Sequence, residues 1–156
     1  MKRKLTALLL AVWLLVGIAQ PKAWASGGEI TISSAKELVE FSKNCSLDTW
    51  SQGKTFRLTA DINLAGAGFA PIPTFGGTFL GDGHTISGLR IDASGSRMGL
   101  FRYIQKGAVV RDLHVSGTVT PDGSRTFVGG IAGVNAGAIQ SCSFRGIVKG
   151  DEAVGG

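Results

Sequence analysis

The sequence predicts an all-β fold: a right-handed parallel β-helix with a short capping helix at its N-terminal side. Three observations carry that expectation. Residues 77–91 (GTFLGDGHTISGLRI) share their build with residues 111–119 (RDLHVSGTV) and 141–148 (SCSFRGIV): an alternating apolar strand, a glycine, then a second short strand. Superposed, the three segments place Leu89, Leu113 and Cys142 in one column, Ile91, Val115 and Phe144 in the next, and Ile86, Val110 and Ile139 one step earlier. Self-similarity at such a period marks a solenoid, whose units bury their apolar faces against one another. The period inside each unit is two, which makes the units β. Finally, 24 of the 156 residues are glycine, more than twice the usual share of about 7%. They recur at set positions, where a coil needs positive φ at its corners or close stacking of backbones.

Residues 1–25 read as a secretory signal peptide and not as fold. Lys2, Arg3 and Lys4 form a positive start, an apolar run spans residues 7–19, and Ala23-Trp24-Ala25 supplies an A-x-A cleavage site. The run is short of the roughly 18–20 apolar residues that span a bilayer; an uncleaved N-terminal anchor is the alternative. The remainder, Ser26 to Gly156, suffices for one small domain. In it, residues 26–54 hold an N-terminal strand (residues 29–32) and the capping helix. Ser34-Ala35-Lys36-Glu37 is a capping box, and Ala35, Leu38, Val39 and Phe41 form the apolar stripe of a helix ending near Asn44. So short a helix does not stand alone in water. It is expected to lie over an open coil end, covering apolar side chains there.

Residues 55–156 are assigned to coils. The first runs over residues 55–64, with Ile62 and Leu64 inward. Residues 65–77, rich in Gly and carrying Pro71 and Pro73, predict a turn-containing bridge and not a core strand. The second coil covers residues 78–91 and the third 109–119. Between them residues 98–104 supply another apolar strand, matched by residues 128–134, as Gly107 is matched by Gly137. Ala153-Val154-Gly155-Gly156 restarts Phe127-Val128-Gly129-Gly130. Repeat arrays close on a cap, so the β-helix is expected to be C-terminally truncated, the N-terminal part of a longer protein.

The basic balance belongs to the leader. The chain has 16 Lys and Arg against 11 Asp and Glu, but Lys2, Arg3, Lys4 and Lys22 fall within residues 1–25, which leaves 12 against 11. The remaining basic residues are dispersed and not interleaved with aromatics, which excludes a nucleic-acid footprint. Two cysteines in an exported chain invite a disulfide. Cys45 lies near the cap and Cys142 several coils away, at about 4.8 Å per coil, beyond the roughly 7 Å between Cα atoms that a disulfide tolerates. Two free, buried or half-buried thiols are expected.

Residues 59–91, 98–119 and 128–150 together resemble the GLUG-motif repeat proteins, through G-T-F-x-G-x-G-H-T-I, G-L-F and V-G-G-I-A-G-x-N. These are bacterial secreted and cell-surface proteins, and the motif also occurs in non-catalytic regions of IgA-cleaving zinc metallopeptidases. Leu80-Gly81-Asp82-Gly83 departs from the Asp-Gly-Asn-Gly turn more usual in the family. The resemblance implies a right-handed β-helix, an extracytoplasmic location and a role in surface architecture or adhesion. It implies no activity.

No residue is assigned a catalytic, cofactor-binding or metal-binding role, and no cofactor is expected. A zinc peptidase needs H-E-x-x-H on a helix, whereas His84 follows a turn and His114 points outward between Leu113 and Val115. His84 reads as a structural hydrogen-bonding residue. Glycosidic chemistry on a β-helix needs carboxylates gathered on one face. Asp61 and Asp112 are expected to share a face at two coils' separation, roughly 10 Å, and to cap turns or stay solvated. Asp82 and Asp122-Gly123 match no calcium loop and are explained by turn chemistry. A glycan-binding module would need a groove lined by Trp50, Tyr103 or paired carboxylates; Trp50 is expected to pack against the domain instead. The sequence therefore reads as a non-enzymatic, secreted or cell-surface scaffold or adhesion module that meets the membrane only through its signal peptide during export. Candidate partners are a surface glycan or a host or cell-wall component. The alternatives are a glycan-binding module and the leading, non-catalytic segment of a surface metallopeptidase.

Overall fold

The computed structural model of the chain describes residues 28–123 and 125–155; the signal-peptide reading of residues 1–25 lies outside them. The described residues wind into a parallel β-solenoid of about four turns, with one short helix at the N-terminal side. The chain enters through β1 (Glu29–Ile32) and α1 (Ala35–Asn44). The next coil holds β2 (Thr55–Leu58) and β3 (Ile62–Asn63), and is followed by β4 (Thr78–Leu80), β5 (Thr85–Ile91) and β6 (Phe101–Ile104) in the coil after it. A further coil carries β7 (Val109–Arg111), β8 (His114–Val119), β9 (Thr126–Gly129) and β10 (Ala132–Asn135). The last holds β11 (Ala138–Gln140), β12 (Ser143–Val148) and β13 (Glu152–Gly155).

Each face of the solenoid is a parallel sheet built from one strand per coil. One face is the five-stranded sheet β1-β2-β4-β7-β11, and the next is the four-stranded sheet β3-β5-β8-β12. A third face pairs β6 with β10, and a fourth pairs β9 with β13, an element extended by a Met98–Val128 bridge. Strand β1 thus belongs to the stack of coils, and only α1 stands apart from it. Val154 pairs with Val128 and Gly155 with Gly129, which realises the restart seen in the sequence.

The interior follows from alternation. Phe56, Phe79 and Val110 stack inward on the five-stranded face, and Ile62, Ile86 and Val115 on the four-stranded one, all at 2% exposure or less. Helix α1 lies over this interior at the N-terminal end. Its Leu38 and Phe41 are buried, and the Phe41 ring stands 4.7 Å from Phe56 and 5.7 Å from Phe79. The helix starts as expected, with the Ser34 hydroxyl accepting the Glu37 N–H at 3.3 Å. The Glu37 carboxylate reaches one residue further back than a capping box requires, accepting from the Ser33 N–H at 2.7 Å and the Ser33 hydroxyl at 2.9 Å.

Three expectations are corrected. Leu89, Leu113, Ile91 and Val115 are all inward, but the columns differ from those of the superposition. Ile86 pairs with Val115 and then Phe144, Ile91 pairs with Val119, and Val110 and Ile139 continue the column of Phe79. One coil therefore runs from Ile86 to Val115, or from Phe79 to Val110, and is longer than the step from Leu89 to Leu113. Leu-x-Ile and Leu-x-Val look alike wherever they fall in a coil, so matching Leu89 with Leu113 paired one strand with a neighbouring corner. Secondly, residues 65–77 are not excluded from the core. Ile72 and Phe75 are fully buried and bridge Phe101 and Ile104, because the third face needs a neighbour on that side. Thirdly, Asp61 and Asp112 do not share a column.

Asp112 instead belongs to a corner. Asp82, Asp112 and Ser141 all adopt left-handed backbone, with φ of 50°, 54° and 50°, at the turn from the five-stranded to the four-stranded face. Arg97, Phe127 and Ala153 repeat the device further along each coil at φ of 59°, 57° and 49°. Left-handed backbone costs an L-residue about 1–2 kcal/mol, so these corners persist because the flanking strands hold them.

Candidate functional site

Inward packing of Ile62, Ile86 and Val115 turns their neighbours outward, onto the exterior of the four-stranded sheet. This lines up Asp61, Thr85, His114 and Ser143 across successive coils. The Asp61 Oδ1 accepts the Thr85 N–H at 2.9 Å and lies 3.2 Å from His84 Nδ1. The Thr85 N–H first, and His84 second, hold the Asp61 carboxyl below the usual carboxylate range. One coil further on, His114 Nδ1 lies 2.7 Å from the Ser143 hydroxyl. Carboxylate, imidazole and hydroxyl are all present, but as two separate pairs. A nucleophilic triad requires a single imidazole between carboxylate and hydroxyl, whereas here Asp61 engages His84 and Ser143 engages His114. The arrangement is a polar ladder tying coil to coil, and His84 is a hydrogen-bonding residue as expected.

Charge is used in the same way at the corners. The Arg57 guanidinium bonds Glu29 at 2.8 and 3.0 Å and also reaches Asp82, so it links three coils. The contact lowers the Glu29 pKa and raises that of Arg57. Arg125 grips Asp151 at 2.7 and 3.2 Å and holds its carboxyl below the ordinary range. Among the described residues, no three His, Cys, Asp or Glu side chains converge as a metal site.

The aromatic residues singled out in the sequence divide. Trp50 is half-buried, its ring 5.4 Å from Phe56 and 6.0 Å from Phe41, with the Lys54 ammonium 4.5 Å from its centroid. Its faces serve the cap, as expected. Tyr103 is 37% exposed on β6. Both thiols are free: burial pushes Cys45 up to about 12, and raises the half-buried Cys142 as well.

Recesses open on the surface of the described residues. One, of about 430 Å³, lies at the last coil among Val128, Ile131, Ile139, Cys142 and Val154. Another, of about 410 Å³, lies beside the four-stranded sheet, between the loop after β3 and the second half of β5. Its wall carries Phe69 and its rim Arg90 and Asp92, none of which the sequence reading selected. The signal was faint: an aromatic residue beside Gly66 and Gly68, within a stretch read only as a bridge.

No family profile and no solved structure matches the chain. Two curated proteins are similar to it. Halomucin of Haloquadratum walsbyi is 33% identical over 123 residues, covering 68% of this chain and 1% of its own length. A putative Gly-rich membrane protein of Evansella cellulosilytica is 34% identical over 104 residues, covering 59% of this chain and 12% of its own. The chain thus corresponds to a small part of each relative. Among the described residues, no helix is long and apolar enough to cross a membrane.

Proposed function

We propose that this chain is a non-enzymatic stacking module of an extracytoplasmic surface protein of GLUG-repeat type, serving as scaffold or adhesion surface. The observation that carries this reading is the coil-on-coil register. Each coil adds one strand to the outer sheets and fills the interior with apolar side chains. What such a fold produces is extended, polar outer surface, here the Asp61–Thr85–His114–Ser143 ladder and its neighbours. The similarity to Halomucin and to a Gly-rich membrane protein supports a surface or membrane-associated setting. The signal-like pattern of residues 1–25 supports export.

Brief trypsin treatment of intact producing cells tests the reading. Exposed basic residues such as Arg90 and Arg145 should be cut without cell lysis, and the purified chain should begin at Ser26. A chain recovered from the cytosol, with residues 1–25 attached and protected from external trypsin, would refute it.

A further inference from the structure

The four-stranded sheet has one break in its register, and a recess stands beside it. Between Ile86 and Leu89 the pairing of β5 with β8 shifts by one residue, and Gly88 absorbs the extra position at φ +67°. A Cβ at Gly88 would meet Asn63 Oδ1 at 2.6 Å and the Ala65 nitrogen at 2.9 Å, so only glycine lets the loop after β3 lie this close. On its other side, β5 pairs with β3 only as far as Ser87, while its pairing with β8 continues to Ile91. The Leu64 N–H donates to the Ser87 carbonyl at 2.8 Å, and from there the chain leaves the sheet. The edge of β5 over residues 89–91 therefore faces a loop and not a strand. The gap between them is the 410 Å³ recess.

We infer that this recess binds a neutral saccharide. Its volume falls within the range of small-molecule sites, about 300–1,000 Å³. Phe69 packs part of its ring against the core and leaves part on the recess, a platform for the C–H face of a sugar ring. Arg90 Nε and Asp92 Oδ2 pair at 2.9 Å on the rim with side chains 80% and 59% exposed. Such an exposed pair adds little to stability. It does place a planar donor group beside a planar acceptor group, with no net charge, which matches adjacent hydroxyls. An anionic ligand would meet Asp92 and a cationic one Arg90, so a neutral polyol is favoured over either. The inference deepens the adhesive role and rests on that reading for where the glycan is met. Binding itself is read on purified protein, independently of the chain's location in cells.

The test is saturation-transfer NMR on the full chain with cellobiose, maltose and N,N′-diacetylchitobiose at millimolar concentration. At least one disaccharide should receive saturation at its ring protons. Arg90→Ala removes an exposed side chain and should leave the far-UV circular dichroism and melting temperature unchanged while weakening that binding about tenfold, as expected for the loss of roughly 1.4 kcal/mol. Asp92→Asn should weaken it as well. Phe69→Ala should abolish transfer, and the two rim variants decide the matter should that variant fail to fold. The inference is overturned by no transfer to any of the three sugars, or by transfer of equal strength in wild type, Arg90→Ala and Asp92→Asn. Competition by inorganic phosphate that vanishes at high salt would also overturn it, by marking an anion site.

Discussion

Gly117 and Gly83 both adopt left-handed-region backbone, at φ of 154° and 79°, yet alanine should be far more costly at one than at the other. At Gly83 a Cβ would meet nothing within 4 Å, so Gly83→Ala carries only the backbone penalty, about 1–2 kcal/mol. Gly117 sits in the column Leu89–Gly117–Gly146, and a Cβ there would drive into the Leu89 carbonyl group. Backbone cannot swing aside as a long side chain would, so β5 and β8 must separate. That threatens the ladder through Leu89, Arg90 and Ile91, where each hydrogen bond contributes about 0.5–1.5 kcal/mol net. It also loosens Leu89, Ile91 and Val119, all at 2% exposure or less. With the backbone penalty included, Gly117→Ala should cost about 3–5 kcal/mol, a large part of a typical total of about 5–15 kcal/mol. Urea unfolding followed by circular dichroism reads the difference directly. Equal costs for the two variants would show that Gly117 does not stand against Leu89, and the register shift at Gly88 would have to be abandoned.

Val115→Asp should unfold the chain, since Val115 is 2% exposed between Ile86 and Phe144 and an unpaired buried carboxylate costs several kcal/mol. His114→Asp, one residue away and outward, should shift the melting temperature little; similar losses at both sites would contradict the assigned faces. Without reductant, both thiols should alkylate after unfolding, while in the folded chain Cys142 should react before Cys45, which burial keeps protonated to about pH 12. An intramolecular Cys45–Cys142 bridge in peptide mapping would be incompatible with the coil order. Glu29, Asp61 and Asp151 have carboxyls held below their ordinary values, so their stabilisation is complete above about pH 4 and is lost as pH falls through the folded values. Asp61→Asn should make the melting temperature less sensitive to acid over that window, and an unchanged profile would show that the Thr85 and His84 contacts carry no linkage.

Local patterns were legible in the sequence because their causes are local. Alternation at period two states which side chains of a strand face the same way, so the inward character of Ile62, Leu64, Leu89, Leu113 and Val115 was readable without a structure. Ser34 announced the helix start, the stripe through Leu38 and Phe41 announced what the helix covers, and the repeat of Phe127-Val128-Gly129 at residues 153–155 announced the pairing of β9 with β13. Which strands lie against which was another matter. Any two apolar-x-apolar triplets match, so superposing Leu89 on Leu113 satisfied the alternation and still chose the wrong neighbours. The better guide was Ile86 against Val115, each two residues ahead of a glycine, but the extra residue at Gly88 shifts the register, so Gly117 pairs with Leu89 and not with Gly88. Ile72 and Phe75 were hidden by Pro71 and Pro73, which weaken a strand signal without preventing burial beneath Phe101 and Ile104. The recess at Phe69 had only a faint local signature, an aromatic residue beside two glycines. It exists because a bulge in one coil and a departing loop in the preceding coil come side by side. That depends on where excursions as long as Phe56 to Phe79, or Phe79 to Val110, return to the stack, a quantity no short window of sequence contains.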